Sequence, residues 1–173
     1  DLALQLVDAA ADAGADVVKF QTFKAQHLVT AQARKADYQA TNTGEGGGQM
    51  DMLRKLELAP ADHDVLLARC RERGIRFMST AFDPDSLAFL GTLDMPAVKI
   101  PSGDITHAPM LLQAARLGRP LIVSTGMSTL ADIETAPAQA TQLEVEQYTP
   151  GRVLDGGELL AALRERRAAR EAM

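Results

Sequence analysis

Two lysines stand inside short β-branched segments, Asp16-Val17-Val18-Lys19-Phe20-Gln21 and Ala97-Val98-Lys99-Ile100. Side chains of a strand alternate between its two faces. Val18 and Phe20 therefore share one face, and Val17, Lys19 and Gln21 the other; Val98 and Ile100 oppose Lys99 in the same way. With the apolar pairs lying under helices, both ammonium groups and the Gln21 amide point inward. An ammonium taken out of water without a counter-charge is costly, so the two lysines call for anions. Each could meet an Asp or Glu of the chain, or stand in solvent at a strand end. Two lysines near the ends of neighbouring strands favour an anionic ligand.

Hydroxyls gather at equivalent places. Ser79 and Thr80 end one apolar segment, Ser102 and Gly103 follow the next, and Ser124, Thr125 and Gly126 end a third. One such residue is an ordinary turn former. Three clusters suggest a ring of donors around a phosphate or carboxylate, with glycines letting backbone N–H groups come close.

The elements that must position these groups follow from periodicity and punctuation. Leu2, Leu6, Ala10 and Ala13 fall at helical spacing and stop at Gly14. Helices are expected near 61–73 (ended by Gly74), from Asp83-Pro84 to about Leu93, and from Pro109 to Gly118. Thr129 with Asp132 resembles a capping box opening one more. Strands are expected at 16–21, 75–80, 97–100 and 121–125. Alternating strands and helices indicate βα units on a parallel sheet, with right-handed crossovers placing all helices on one side. The expected fold class is α/β, a partial (β/α)8 TIM barrel of about four parallel strands; a complete barrel takes roughly 250 residues. The chain opens on a helix, so a strand is expected before it. Residues 24–57 form a long connection, the kind that often serves as a lid. The expected domains are 1–135, the partial barrel, and 136–173, a divergent tail with an amphipathic helix near 158–171.

Composition excludes several classes. The net charge of -5 leaves no basic surplus for phosphate backbones, so no nucleic acid is expected. No apolar run reaches membrane-spanning length and no signal-peptide pattern opens the chain, which predicts a cytoplasmic protein with no membrane partner. Cys70, the single cysteine, cannot build a disulfide framework and reads as a small apolar residue on the inner side of a helix.

The ordered set Lys19-Phe20-Gln21-Thr22-Phe23, Ser79-Thr80-Ala81-Phe82, Lys99-Ile100-Pro101-Ser102-Gly103-Asp104 and Ser124-Thr125-Gly126-Met127 resembles the N-acetylneuraminate (sialic acid) synthase family. Tyr38-Gln39 and Asn42-Thr43-Gly44 are similar to its bacterial members, and the resemblance runs to about Glu134. It implies a transferase that condenses phosphoenolpyruvate with N-acetylmannosamine or a related N-acyl amino sugar and releases phosphate. Lys19, Thr80, Lys99, Ser102 and Ser124 would hold the phosphate and carboxylate; Gln21 and Asn42 would contact the sugar. Asp104 matches an acidic position of the family, either orienting Lys99 or joining the catalysis. The resemblance also implies a divalent metal, Mn2+ or Mg2+, whose ligands are not in this chain, and a homodimer in the complete enzyme.

The resemblance places an acidic catalytic residue on a strand before Asp1 and metal-binding histidines on strands after Glu134. Ala81 stands where the family usually has proline. His27, His63 and His107 lack a second histidine at metal-binding spacing and are expected in surface or loop positions. Two other readings stay open: an aldolase-like barrel binding another phosphorylated metabolite, and a non-catalytic remnant with exposed sheet edges.

Overall fold

The structure, a computed structural model, describes residues 2–37, 39, 41 and 47–142. Helix α1 (Leu2–Asp12) ends where Gly14 takes a φ of 75°, and the chain enters β1 (Val17–Thr22). The long connection includes the short helices α2 (Ala25–Leu28) and α3 (Gln49–Arg54). Helix α4 (Pro60–Glu72) begins on a proline, whose fixed φ suits a first helical turn, and is closed by Gly74 at φ 67°. Then follow β2 (Arg76–Ala81), α5 (Pro84–Gly91), β3 (Val98–Ile100), a 3-10 turn (Ser102–Asp104), α6 (Ala108–Arg116), β4 (Leu121–Val123) and α7 (Leu130–Gln142).

The expected caps form. The Asp83 carboxylate accepts from Ser86 N at 2.9 Å to start α5, and Thr129 and Asp132 exchange hydrogen bonds at the start of α7. Helix α7 continues to Gln142, so position 135 falls within it. The tail helix expected near 158–171 lies outside the described residues.

The four strands pair in parallel in the order β1-β2-β3-β4. Uninterrupted order with right-handed crossovers puts the helices on one face, which makes this part of a TIM-barrel wall. Strands β1 and β2 pair over six positions, β3 and β4 over three, while β2 meets β3 in register at Thr80↔Lys99. The core lies between sheet and helices: Val18, Phe77, Val98 and Ile100 from the strands meet Leu66, Leu87, Leu90, Met110 and Leu111 from the helices. Complete burial of a side chain such as Leu87 or Ile100 stabilises by about 1.5–3 kcal/mol. Cys70 joins this core at 2% exposure, and burial pushes its thiol pKa up. Among the described residues no helix is long and apolar enough to cross a membrane.

Candidate active site

The registers place Gln21, Thr80, Lys99 and Ile122 in one row across the face away from the helices. Lys19 and Met78 form the row behind it, and Ser124 stands two residues beyond Ile122 on the same face. Alternation therefore sends both lysines and Gln21 where the sequence expects them. The surroundings differ from expectation for one lysine. On this face Lys19 and Gln21 are exposed, Lys99 is half-buried and Thr80 is buried.

Lys99 carries the clearest electrostatic signature. Its ammonium donates to the Ile100 carbonyl at 2.7 Å and to the Ser124 hydroxyl. Burial, and then the positive charge of Lys19, hold its pKa below the ordinary lysine value. Among the described residues neither lysine forms an ion pair with a carboxylate. Beside Lys99, Thr80 is 2% exposed and its hydroxyl has no hydrogen-bond partner among the described residues. Buried hydroxyls are normally satisfied. A lone donor next to two uncompensated cations is a place where an anion's oxygen fits.

Ser102 and Asp104 stand half-buried in the 3-10 turn directly after β3. Burial raises the Asp104 pKa and the nearby His107 opposes that rise. No ion pair joins Asp104 to Lys99 among the described residues. Asn42 and Tyr38 lie outside the described residues.

Ser79 does not belong to the ring of donors. It shares the helix-facing side with Phe77 and its hydroxyl bonds the buried Thr22 hydroxyl at 2.7 Å. The period of two that places Thr80 inward necessarily turns Ser79 outward. His63 also departs from its expected surface position. It is fully buried between Phe77 and Phe89, its ring edge-on to both. Its place on the inner stripe of α4, with Leu66, Leu67 and Cys70, was the signal available in the sequence.

His27, Asp83 and Asp85 come within metal-binding reach of one another above the ends of β1 and β2. The Asp83 oxygens already accept from Lys24 N, Ser86 N and the Ser86 hydroxyl, at 2.7–3.1 Å, with His27 Nδ1 3.4 Å away. Asp83 is thus a cap and loop tie, and the cluster does not fit a catalytic metal.

A family model described as "NeuB family" matches residues 6–149. The chain is 48% identical over 135 residues to the N,N'-diacetyllegionaminic acid synthase of Legionella pneumophila, covering 78% of this chain and 38% of that protein. It is 43% identical over 136 residues to the protein of the same name from Campylobacter jejuni, covering 79% and 41%. Among solved structures, the N-acetylneuraminic acid (sialic acid) synthetase of Leptospira borgpetersenii, in complex with citrate, superposes with a TM-score of 0.67 at 28% identity, over 82% of this chain and 45% of that one. The chain therefore spans about two fifths of the length of these curated relatives. On the strength of a match covering most of its length, this chain belongs to the NeuB family.

Proposed function

We propose that the chain forms the phosphoenolpyruvate-binding wall of an enzyme that condenses this metabolite with an N-acyl amino sugar. The single observation that carries the reading is the buried, unpartnered Thr80 hydroxyl beside two lysines without carboxylate partners. Lys19, Lys99, Thr80, Ser102 and Ser124 offer cations and hydroxyls to a phosphate and a carboxylate, and Gln21 offers an amide to the sugar. The methylene carbon of phosphoenolpyruvate attacks the open-chain aldehyde and forms the new C–C bond, and the aldehyde oxygen takes a proton to become a hydroxyl. Water then adds at the neighbouring carbon that bears the phosphate, and phosphate leaves from it with its bridging oxygen. The lysines stabilise charge on the phosphate and carboxylate through that sequence. The names of the two bacterial relatives favour a diacetylated sugar as the acceptor.

A divalent metal would polarise the aldehyde in this chemistry. The described residues do not provide a fitting set for it, and no step is assigned to it. With Lys19 and Gln21 exposed and no fitting metal set among the described residues, this chain by itself is expected to show little or no turnover.

The test is calorimetric titration with phosphoenolpyruvate, beside a coupled phosphate-release assay with N-acetylmannosamine. Saturable binding that Lys99→Met abolishes supports the reading; absence of binding by the wild type sinks it. One observation favours a second reading. The lowered pKa of Lys99 also suits a Schiff-base aldolase, whose lysine must lose its proton to attack a carbonyl. Borohydride trapping with pyruvate would label Lys99 in that case and leave it unlabelled in ours.

A further inference from the structure

We infer that His63 is a positioning residue, which through Thr22 and Ser79 holds the two strand ends that aim Gln21 and Thr80 at the ligand. The inference rests on the binding role proposed above.

Thr22, His63 and Ser79 lie behind the sheet, 5%, 0% and 1% exposed. Thr22 Oγ1 is 2.9 Å from His63 Nε2 and 2.7 Å from Ser79 Oγ, and His63 Nδ1 is 2.9 Å from the Ala59 carbonyl. The proton order follows from chemistry. A carbonyl only accepts, so Nδ1 donates to Ala59. In the neutral ring Nε2 is then left as an acceptor and takes the Thr22 hydroxyl proton. Thr22 Oγ1 in turn accepts from the Ser79 hydroxyl.

This chain of hydrogen bonds ties three elements together, α4, β1 and β2. Ala59 is the residue before α4, His63 sits in its first turns, Thr22 ends β1 and Ser79 precedes Thr80 in β2. Thr22 directly follows Gln21, and Ser79 directly precedes Thr80. Because neighbouring side chains on a strand point to opposite faces, fixing the outward hydroxyls fixes the rotation of the inward groups. Phe77 and Phe89 meet the His63 ring edge-on, at centroid distances of 6.1 and 4.9 Å, and hold its plane. An apolar residue in place of His63 would fill this volume but leave the Thr22 hydroxyl proton without its acceptor on α4.

The experiment compares Thr22→Val, Thr22→Ser, His63→Phe and the Thr22→Val/His63→Phe pair. Valine keeps the branched shape without the hydroxyl, and phenylalanine keeps a ring without its nitrogens. Phosphoenolpyruvate affinity by calorimetry should fall about tenfold in Thr22→Val, the equivalent of one lost hydrogen bond, and recover in Thr22→Ser. The double variant should bind no more weakly than the worse single one, since both cut one chain. Lower melting temperatures with wild-type affinity in the folded protein would overturn the inference, as would losses that multiply. Should His63→Phe fail to fold, the Thr22 variants decide alone. Amide exchange at Gln21 and Thr80, followed without ligand, separates the two possible failures. A wild type that binds no phosphoenolpyruvate sinks the binding reading, and exchange unchanged by Thr22→Val sinks the network.

Discussion

Thr80 and Lys99 are register partners across the seam between β2 and β3, the one a buried hydroxyl without a partner, the other a half-buried ammonium without a carboxylate. Each is a local cost in the free protein. A ligand oxygen placed between them would relieve both.

Thr80→Val should therefore act in opposite directions on stability and binding. Removing an unsatisfied buried hydroxyl at nearly constant shape should stabilise the free protein by about 1 kcal/mol, read by urea unfolding. Phosphoenolpyruvate affinity should fall about tenfold at the same time. Loss of stability on this substitution would show that the hydroxyl is already satisfied.

Lys99→Met should raise stability by about 1 kcal/mol at neutral pH, as substitutions that relieve a functional site often do. The sign with pH follows from the lowered pKa. Folded Lys99 holds its proton less tightly than unfolded Lys99, so wild-type stability rises as pH climbs through the folded pKa toward 10.5. The advantage of the methionine variant should shrink over that window. Lys19→Met should move the Lys99 titration upward, observed by NMR at the ε-carbon, because a neighbouring positive charge is gone.

Asp83→Ala should cost about 2 kcal/mol, the upper end for a lost helix cap, since Lys24 N also loses its acceptor. Burial works to raise the Asp83 pKa, yet the bonds from Ser86, Lys24 and His27 bring it below 3.8 on balance. Its contribution is thus present above that value and lost as pH falls through the lower folded pKa. Acid unfolding curves of the variant should be flatter below pH 3.8 than those of the wild type.

Gly74→Ala should cost about 1 kcal/mol from backbone strain at φ 67°, because an added Cβ would meet nothing within 4 Å. A larger loss in urea unfolding would point to a steric contact instead.

The strand–helix order, the caps at Asp83 and Thr129 and the facing of Lys19, Gln21 and Lys99 were all legible in the sequence, because each depends on local periodicity and chemistry. Exposure was not. Whether Lys19 is covered depends on what lies across the sheet, which no strand records about itself. Ser79 was misplaced by treating a pair of hydroxyls as one cluster when alternation separates them. His63 was misread because a histidine's metal-binding spacing says nothing about the aromatic residues, Phe77 and Phe89, that enclose it from other elements.

The one-sided core has a practical outcome for anyone redesigning this wall. Positions of one parity along each strand pack the core, and those of the other parity carry the proposed binding groups. A library randomised at Gln21, Met78 and Ile122, with both lysines kept, would leave the packed layer under the helices untouched. Acceptor preference could drift across such variants while the scaffold beneath them stayed the same.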